Sequence, residues 1–253
     1  MAWARSGPQN GAGVWIHVDG AFGLWAAASA DPARRALVAG VGGADSWATD
    51  LHKMLNVPYE SALVAVMHGQ ALHRSMACAA PYVDAPTTKA APGGTVAGDG
   101  PNPADTGGDT RHLPRAVHPL LPELQNSRRA RGVVAWAALQ QLGVTGVAGL
   151  VDGCCDHAAS LAVLLERGGA TLLHPVIFNQ ALVHFGGDDA RTAAVAAAAQ
   201  LDGRCWVAAT RFQGRTVLRL SVSCWATTSN DVEIAARAIL ECAASLGDTN
   251  HKL

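Results

Sequence analysis

The first 67 residues alternate short apolar runs with one capped helical segment, and this alternation restricts the chain to an α/β sheet. The apolar run at residues 14–19 stops at a glycine and predicts a buried strand. Residues 31–38 open with an Asp-Pro pair, which suits the N-cap and first turn of a helix. Two further strands are predicted at residues 45–50 and 62–67. A helical crossover between the first two strands brings their ends side by side.

The rest of the chain divides by composition and period into three parts. Residues 84–126 are rich in Pro, Gly, Thr and Asp without a period, which predicts a long flexible loop. Residues 127–168 predict two connecting helices that stop at Gly143 and Gly168. Residues 169–253 predict a small α+β domain. Its expected strands lie at residues 171–174, 181–185, 205–208 and 217–222, and its expected helices at residues 188–201 and 230–246.

Charge and cysteine content indicate which kinds of binding partner and which cellular compartment to expect. The formal charge of −1 leaves no basic field for nucleic acid or an anionic membrane, so we expect a small neutral or zwitterionic partner instead. The six cysteines form no C-x-x-C pair, and the start of the chain lacks the apolar run of a signal peptide. We therefore expect a cytoplasmic protein with reduced thiols. The histidines lack paired metal spacing, so no metal site is expected.

One lysine stands out, because the chain contains three lysines and sixteen arginines. Lys53 follows a predicted buried strand in the run T-D-L-H-K-M-L-N-V-P-Y, where an ammonium group is costly to bury. The plainest interpretation is a lysine whose stem lies on apolar surface while its amine reaches water. The alternative includes Asp19, whose carboxylate ends the neighbouring predicted strand. Pyridoxal phosphate (PLP) needs such a pair: an amine for covalent attachment and an acid that keeps the pyridine nitrogen protonated.

Two longer sequence blocks contain this acid and this amine. They are H-V-D-G-A-F-G at residues 17–23 and A-D-S-W-A-T-D-L-H-K-M-L-N-V-P-Y at residues 44–59, with supporting blocks at residues 127–139 and 205–228. Together they resemble the group II PLP-dependent decarboxylases, which include glutamate, aromatic-amino-acid and cysteine-sulfinate decarboxylases. The resemblance implies only the C-terminal part of such an enzyme. That part is a partial aspartate aminotransferase-like (fold type I) large domain at residues 1–83, followed by a small α+β domain.

The resemblance also implies roles for five residues. Lys53 would carry PLP covalently, and Asp19 would pair with the pyridinium nitrogen. Ala21 would pack on the face of the ring, and His52 would lie near the phosphate. Tyr82 would protonate the substrate carbon after carbon dioxide leaves, although a tyrosine at this place is equally well explained as an ordinary aromatic at a loop edge.

Two functions remain as hypotheses at this stage. The first is decarboxylation of an L-amino acid to an amine and carbon dioxide, with aromatic amino acids as the first choice of substrate and acidic ones as the second. The second is a truncated, inactive decarboxylase remnant that acts only in subunit association. Either hypothesis implies a homodimer or association with a full-length relative.

Overall fold

A computed structural model describes residues 14–69, residue 72 and residues 129–248. Its contacts divide the chain into one unit of residues 1–67 and 130–253 and a second unit of residues 68–129. All the elements described below belong to the first unit. The predicted loop at residues 84–126 and Tyr82 lie outside the described residues, and the predicted domain boundaries stay a prediction.

The N-terminal sheet has three strands: β1 (His17–Asp19), β2 (Ser46–Asp50) and β3 (Ala62–Val66), in the order β1-β2-β3. β1 runs parallel to β2, and β3 runs antiparallel to it. The helix α1 (Pro32–Ala36) lies in the crossover between β1 and β2 and begins as predicted, because the Asp31 carboxylate accepts a hydrogen bond from the Ala33 amide at 2.8 Å. The alternation of strand, helix and strand is therefore confirmed. The prediction of a buried strand at residues 14–19 is wrong, because β1 covers only His17–Asp19 and is mostly exposed.

A long helix, α2 (Arg131–Arg167), connects the N-terminal sheet to the rest of the unit. It breaks at Gly143, where φ is 59° and ψ is −175°, a backbone conformation that is open almost only to glycine. The predicted pair of helices is thus confirmed. By length and composition α2 could cross a membrane, but a core helix passes the same test. Residues of α2 contribute to all three apolar clusters of the described structure.

The C-terminal sheet has four antiparallel strands in the order β4-β5-β7-β6. Its helices are α3 (Asp189–Asp202) and α4 (Ser229–Asp248). The strands are β4 (Ala170–Leu172), β5 (Gln180–Phe185), β6 (Ala208–Phe212) and β7 (Arg215–Ser221). The strand predicted at residues 205–208 is misplaced, because β6 begins only at Ala208, the last residue of the predicted range. The Gln213-Gly214 turn, with both φ values positive, sets the β6-β7 hairpin instead.

Candidate cofactor site

The end of β1 is fixed against β2 by Gly20. Its amide donates to the carbonyl of Ala48 at 2.8 Å, and its own carbonyl accepts from the hydroxyl of Thr49 at 3.0 Å. A Cβ atom at position 20 would lie 2.5 Å from the Cβ of Leu24 in the following turn and 3.3 Å from the carbonyl oxygen of Ala48 in β2, so a side chain there would displace that turn and crowd the strand. Glycine therefore allows the close approach that holds Asp19 at the end of the parallel strand pair.

Asp19 is exposed, and one of its carboxylate oxygens accepts a hydrogen bond from the Ala21 amide at 3.3 Å. Asp19 also lines a cavity of about 550 Å³. The other walls of this cavity are largely apolar and include Leu24, Leu37, Val41, Ile177 and Phe178. Ala21, His52 and Lys53 do not line it. The apolar cavity is thus a neighbour of the candidate acid but does not contain the candidate amine.

Lys53 lies in a turn that follows β2 and is anchored by its apolar neighbours. Met54 is fully buried, and Leu51 and Leu55 are 5% and 4% exposed. The lysine side chain itself remains 32% exposed, and its Nζ atom lies 2.5 Å from a carboxylate oxygen of Asp50. The same ammonium group lies 4.8 Å from the centroid of the Phe22 ring. The amine is therefore held at the surface of a rigid turn by one carboxylate and one aromatic face.

Asn56 ties the lysine turn to a distant part of the chain. Its backbone has a positive φ of 55°, a conformation that asparagine tolerates better than most residues. Its Nδ2 group lies 2.9 Å from each of the carbonyls of Lys53 and Met54 and 2.7 Å from that of Ser223. Its Oδ1 atom accepts from the Trp225 amide at 3.1 Å. Asn56 therefore fixes the turn to the segment between β7 and α4.

His52 points toward the beginning of β3. Its Nδ1–H donates to the Ser61 carbonyl at 3.1 Å, since a carbonyl oxygen can only accept. The ring centroid lies 4.6 Å from that of Tyr59. These contacts fix the orientation of the imidazole and leave its Nε2 atom as a possible acceptor. The phosphate contact that the resemblance implies for His52 stays a prediction.

The strand register places two carboxylates on one face of the sheet: Asp19, and Asp50, which contacts Lys53. His17 pairs with Ser46, and their side chains hydrogen bond at 2.7 Å, which identifies the shared face. Because side chains alternate along a strand, Asp19 and Asp50 project to this same face at the ends of β1 and β2. The amine of Lys53 contacts Asp50 there. Acid and amine are thus brought to the same end and the same face of the parallel pair.

Sequence reasoning did not identify Asp50 or Asn56 as functional residues. The only sequence signals for them are the D-x-x-K spacing around the turn and the tolerance of asparagine for a positive φ.

Two thiols are excluded as nucleophiles, because burial raises the pKa of Cys154 to about 11 and that of Cys155 to about 12. Among the residues that the structure describes, no three His, Cys, Asp or Glu side chains are grouped to hold a metal ion.

Comparisons of sequence and of structure give different results. No protein-family model matches the sequence, and no curated protein does either. Oryza sativa TDC, crystallised with PLP and tryptamine, matches with a TM-score of 0.74 and 19% identity over 92% of this chain and 45% of that chain. Catharanthus roseus tryptophan decarboxylase in complex with L-tryptophan gives 0.71 and 18% over 92% and 45%. Mouse CSAD in its apo form gives 0.67 and 17% over 91% and 46%.

The chain spans less than half the length of each of these structures. At such low identity the likeness bears on the fold and not on the activity. The predicted fold class is confirmed: the described residues have the fold of the C-terminal half of the PLP-dependent decarboxylases.

Proposed function

We propose that this chain belongs to a PLP-dependent decarboxylase that converts an L-amino acid into an amine and carbon dioxide. The observation that carries the proposal is the placement of Asp19 and the ion-paired Lys53 at one end and on one face of β1 and β2. The fold supports it, since similar structures were crystallised with PLP, tryptamine and L-tryptophan. A homodimer or a pairing with a full-length relative, and a cytoplasmic location, are parts of the same proposal.

The side chains present fit a pyridoxal-type cofactor, because the strand register and the contact of Lys53 with Asp50 bring a carboxylate and a primary amine to the same end of β1 and β2. PLP would supply an electron sink for the bond that releases carbon dioxide. Lys53 would bind the cofactor through Nζ, and its turn would orient that atom because Met54 is fully buried beside it. Asp19 would hold the proton of the ring nitrogen by its negative charge.

We propose that Tyr82 and the groups beside Lys53 take part in proton movements at the site. Nζ of Lys53 must lose a proton, to water or to a carboxylate, before it can form a bond, and the Asp50 carboxylate lies 2.5 Å from it. Ala21 would pack against the ring, and its amide orients the Asp19 carboxylate at 3.3 Å. Tyr82 is proposed to return a proton to the substrate carbon. The substrate is proposed to be an aromatic amino acid, with acidic amino acids as the second choice.

A second candidate, association without catalysis, is favoured by one feature of β3. Its neighbouring residues Leu63 and Val64 are 45% and 62% exposed. Because adjacent residues of a strand project to opposite faces, β3 presents apolar side chains on both faces of the sheet within the described part of the chain. β3 also forms one edge of this sheet. A chain that acts only as a subunit would use such a surface.

Covalent capture of PLP distinguishes the two candidates. The purified chain is mixed with PLP and reduced with borohydride, and the peptides are mapped by mass spectrometry. We expect the label on Lys53 in preference to Lys89 and Lys252, which serve as references within the same chain. Lys53→Arg keeps the positive charge beside Asp50 and should abolish the label. Equal labelling of the three lysines, or none, would refute specific cofactor binding by this chain.

The acid is tested in the same assay. Asp19→Asn should weaken PLP retention before reduction by about fivefold, the contribution of a solvent-screened contact ion pair. Amine release from an aromatic amino acid is then measured on the loaded protein. If Lys53 is labelled but no amine forms from aromatic or acidic amino acids, the association hypothesis replaces decarboxylation.

A further inference from the structure

The amine of Lys53 is restrained by contacts with two side chains, a carboxylate and an aromatic ring. Asp50 contacts Nζ at 2.5 Å, and the Phe22 ring lies beneath the same atom, with its centroid 4.8 Å away. The side chains of Lys53 and Asp50 are only 32% and 28% exposed, so water screens the pair incompletely. A hydrogen bond between two charged groups in such a place is stronger than one at an open surface.

Both members of this pair are attached to rigid backbone. Asp50 is the last residue of β2 and pairs with Ala62 of β3 in the ladder. Lys53 is followed by the fully buried Met54, and its own carbonyl accepts a hydrogen bond from Asn56 at 2.9 Å. Little chain entropy is therefore lost when the ion pair forms, and the contact is arranged in advance by the fold.

Other charged groups near this end of the sheet have different contacts. Asp19, on β1, accepts from the Ala21 amide at 3.3 Å. The imidazole of His52 donates to the Ser61 carbonyl at 3.1 Å. Asp50 is thus the carboxylate that the described structure places in contact with the amine, and removal of its charge has the most direct effect on Lys53.

We propose that Asp50 is a positioning residue that holds the Lys53 amine at the sheet end through the contact at 2.5 Å, so that this contact must be broken before the amine reacts with a carbonyl compound. The inference deepens the proposed function and rests on it for the identity of the natural aldehyde. In the reaction, a proton leaves Nζ for the Asp50 carboxylate or water, and the freed lone pair forms a bond to the carbonyl carbon. The carbonyl oxygen departs as water, which takes up the two remaining amine hydrogens, and no electrons are transferred to another compound.

Trace acetylation tests the inference without PLP. Acetic anhydride forms an amide with a free amine and releases acetate, and mass spectrometry gives the rate at Lys53 relative to Lys89 and Lys252. At neutral pH, Asp50→Asn should raise this relative rate about tenfold, since a hydrogen bond to a charged group no longer has to be broken. Asp50→Glu restores the charge on a longer side chain and should return the relative rate toward that of the wild type.

A matched control removes a carboxylate from another ion pair. Glu60 pairs with Arg131 at 2.8 Å, and Glu60→Gln should leave the relative rate at Lys53 unchanged. Circular dichroism establishes that each variant is folded. Should Asp50→Asn fail to fold, Asp50→Ala is the second variant, because it also removes the carboxylate that contacts Nζ at 2.5 Å and should raise the relative rate in the same direction.

The inference is overturned if Lys53 in a folded Asp50→Asn variant, or in Asp50→Ala where the first variant does not fold, reacts no faster than in the wild type relative to the two reference lysines. Its failure is distinguishable from failure of the proposed function. Acetylation reports only on the ion pair, whereas specific labelling by PLP reports on the cofactor site. Either result can occur without the other.

Discussion

Removal of the Asn56 side chain should loosen the lysine turn and destabilise the unit. In Asn56→Ala the two hydrogen bonds to the segment between β7 and α4, with the Ser223 carbonyl and the Trp225 amide, are lost. Each contributes about 1 kcal/mol net. Alanine must also adopt the positive φ of 55°, which adds about 1 kcal/mol. We expect the free energy of unfolding to fall by about 3 kcal/mol.

Two further substitutions separate the contributions. Asn56→Gly accepts the positive φ without strain, so it should lose only the part due to hydrogen bonds, about 2 kcal/mol. Asn56→Asp keeps the acceptor for the Trp225 amide but turns a carboxylate oxygen toward the carbonyls of Lys53, Met54 and Ser223. Repulsion between these oxygens should make this variant less stable than Asn56→Gly.

Urea unfolding followed by tryptophan fluorescence measures these differences, and amide hydrogen exchange shows where they act. Exchange should accelerate at Val57, whose amide donates to the Leu51 carbonyl across the turn. If all three variants remain within about 0.5 kcal/mol of the wild type, the side chain of Asn56 does not hold the turn. Faster exchange throughout the unit instead of at the turn would also contradict the local role.

Three other substitutions test the scaffold. Burial alone would raise the pKa of Asp152, but hydrogen bonds from Ser29 and Arg34 make the folded pKa lower than the unfolded value of about 4. The ionised carboxylate therefore stabilises the fold above the unfolded pKa, and this stabilisation is lost as the pH falls through the folded pKa. Urea titrations from pH 7 to 2 should therefore show a smaller acid loss in Asp152→Asn. Gly143→Ala places a side chain in a glycine-only conformation and should lower the free energy of unfolding by about 1–3 kcal/mol in urea. Gly20→Ala should destabilise by a similar amount through overpacking against the following turn, measured as a lower thermal midpoint, and an unchanged midpoint would contradict the close packing.

Features governed by local chemistry were predictable from the sequence. The Asp31 cap, the break at Gly143 and the end of α2 at Gly168 depend on residues within one or two helical turns of each other. The lysine at the end of a buried strand and the acid at the end of its neighbour followed from the order of elements, because a helical crossover makes successive strands adjacent. Predictions of this kind need no knowledge of distant contacts.

Contacts between distant residues were not predictable. Asn56 binds Ser223 and Trp225 across most of the chain, and no local pattern in either segment indicates the other. The strand at residues 205–208 was misplaced for a related reason. The apolar run favours a strand at these residues, whereas the β6-β7 turn places the strand at residues 208–212, where most side chains are exposed at the sheet edge.

The fold holds Lys53 more firmly than Asp19, and this difference determines which assay of the candidate site is the more robust. Asp19 stands on a strand of three residues that is mostly exposed and has β2 as its neighbour in the sheet. Lys53 stands on a turn fixed by the fully buried Met54 and by Asn56. Local opening of β1 would carry the acid away and leave the amine in place, since weakly paired edges open first. Covalent capture should therefore survive conditions in which reversible PLP retention is lost.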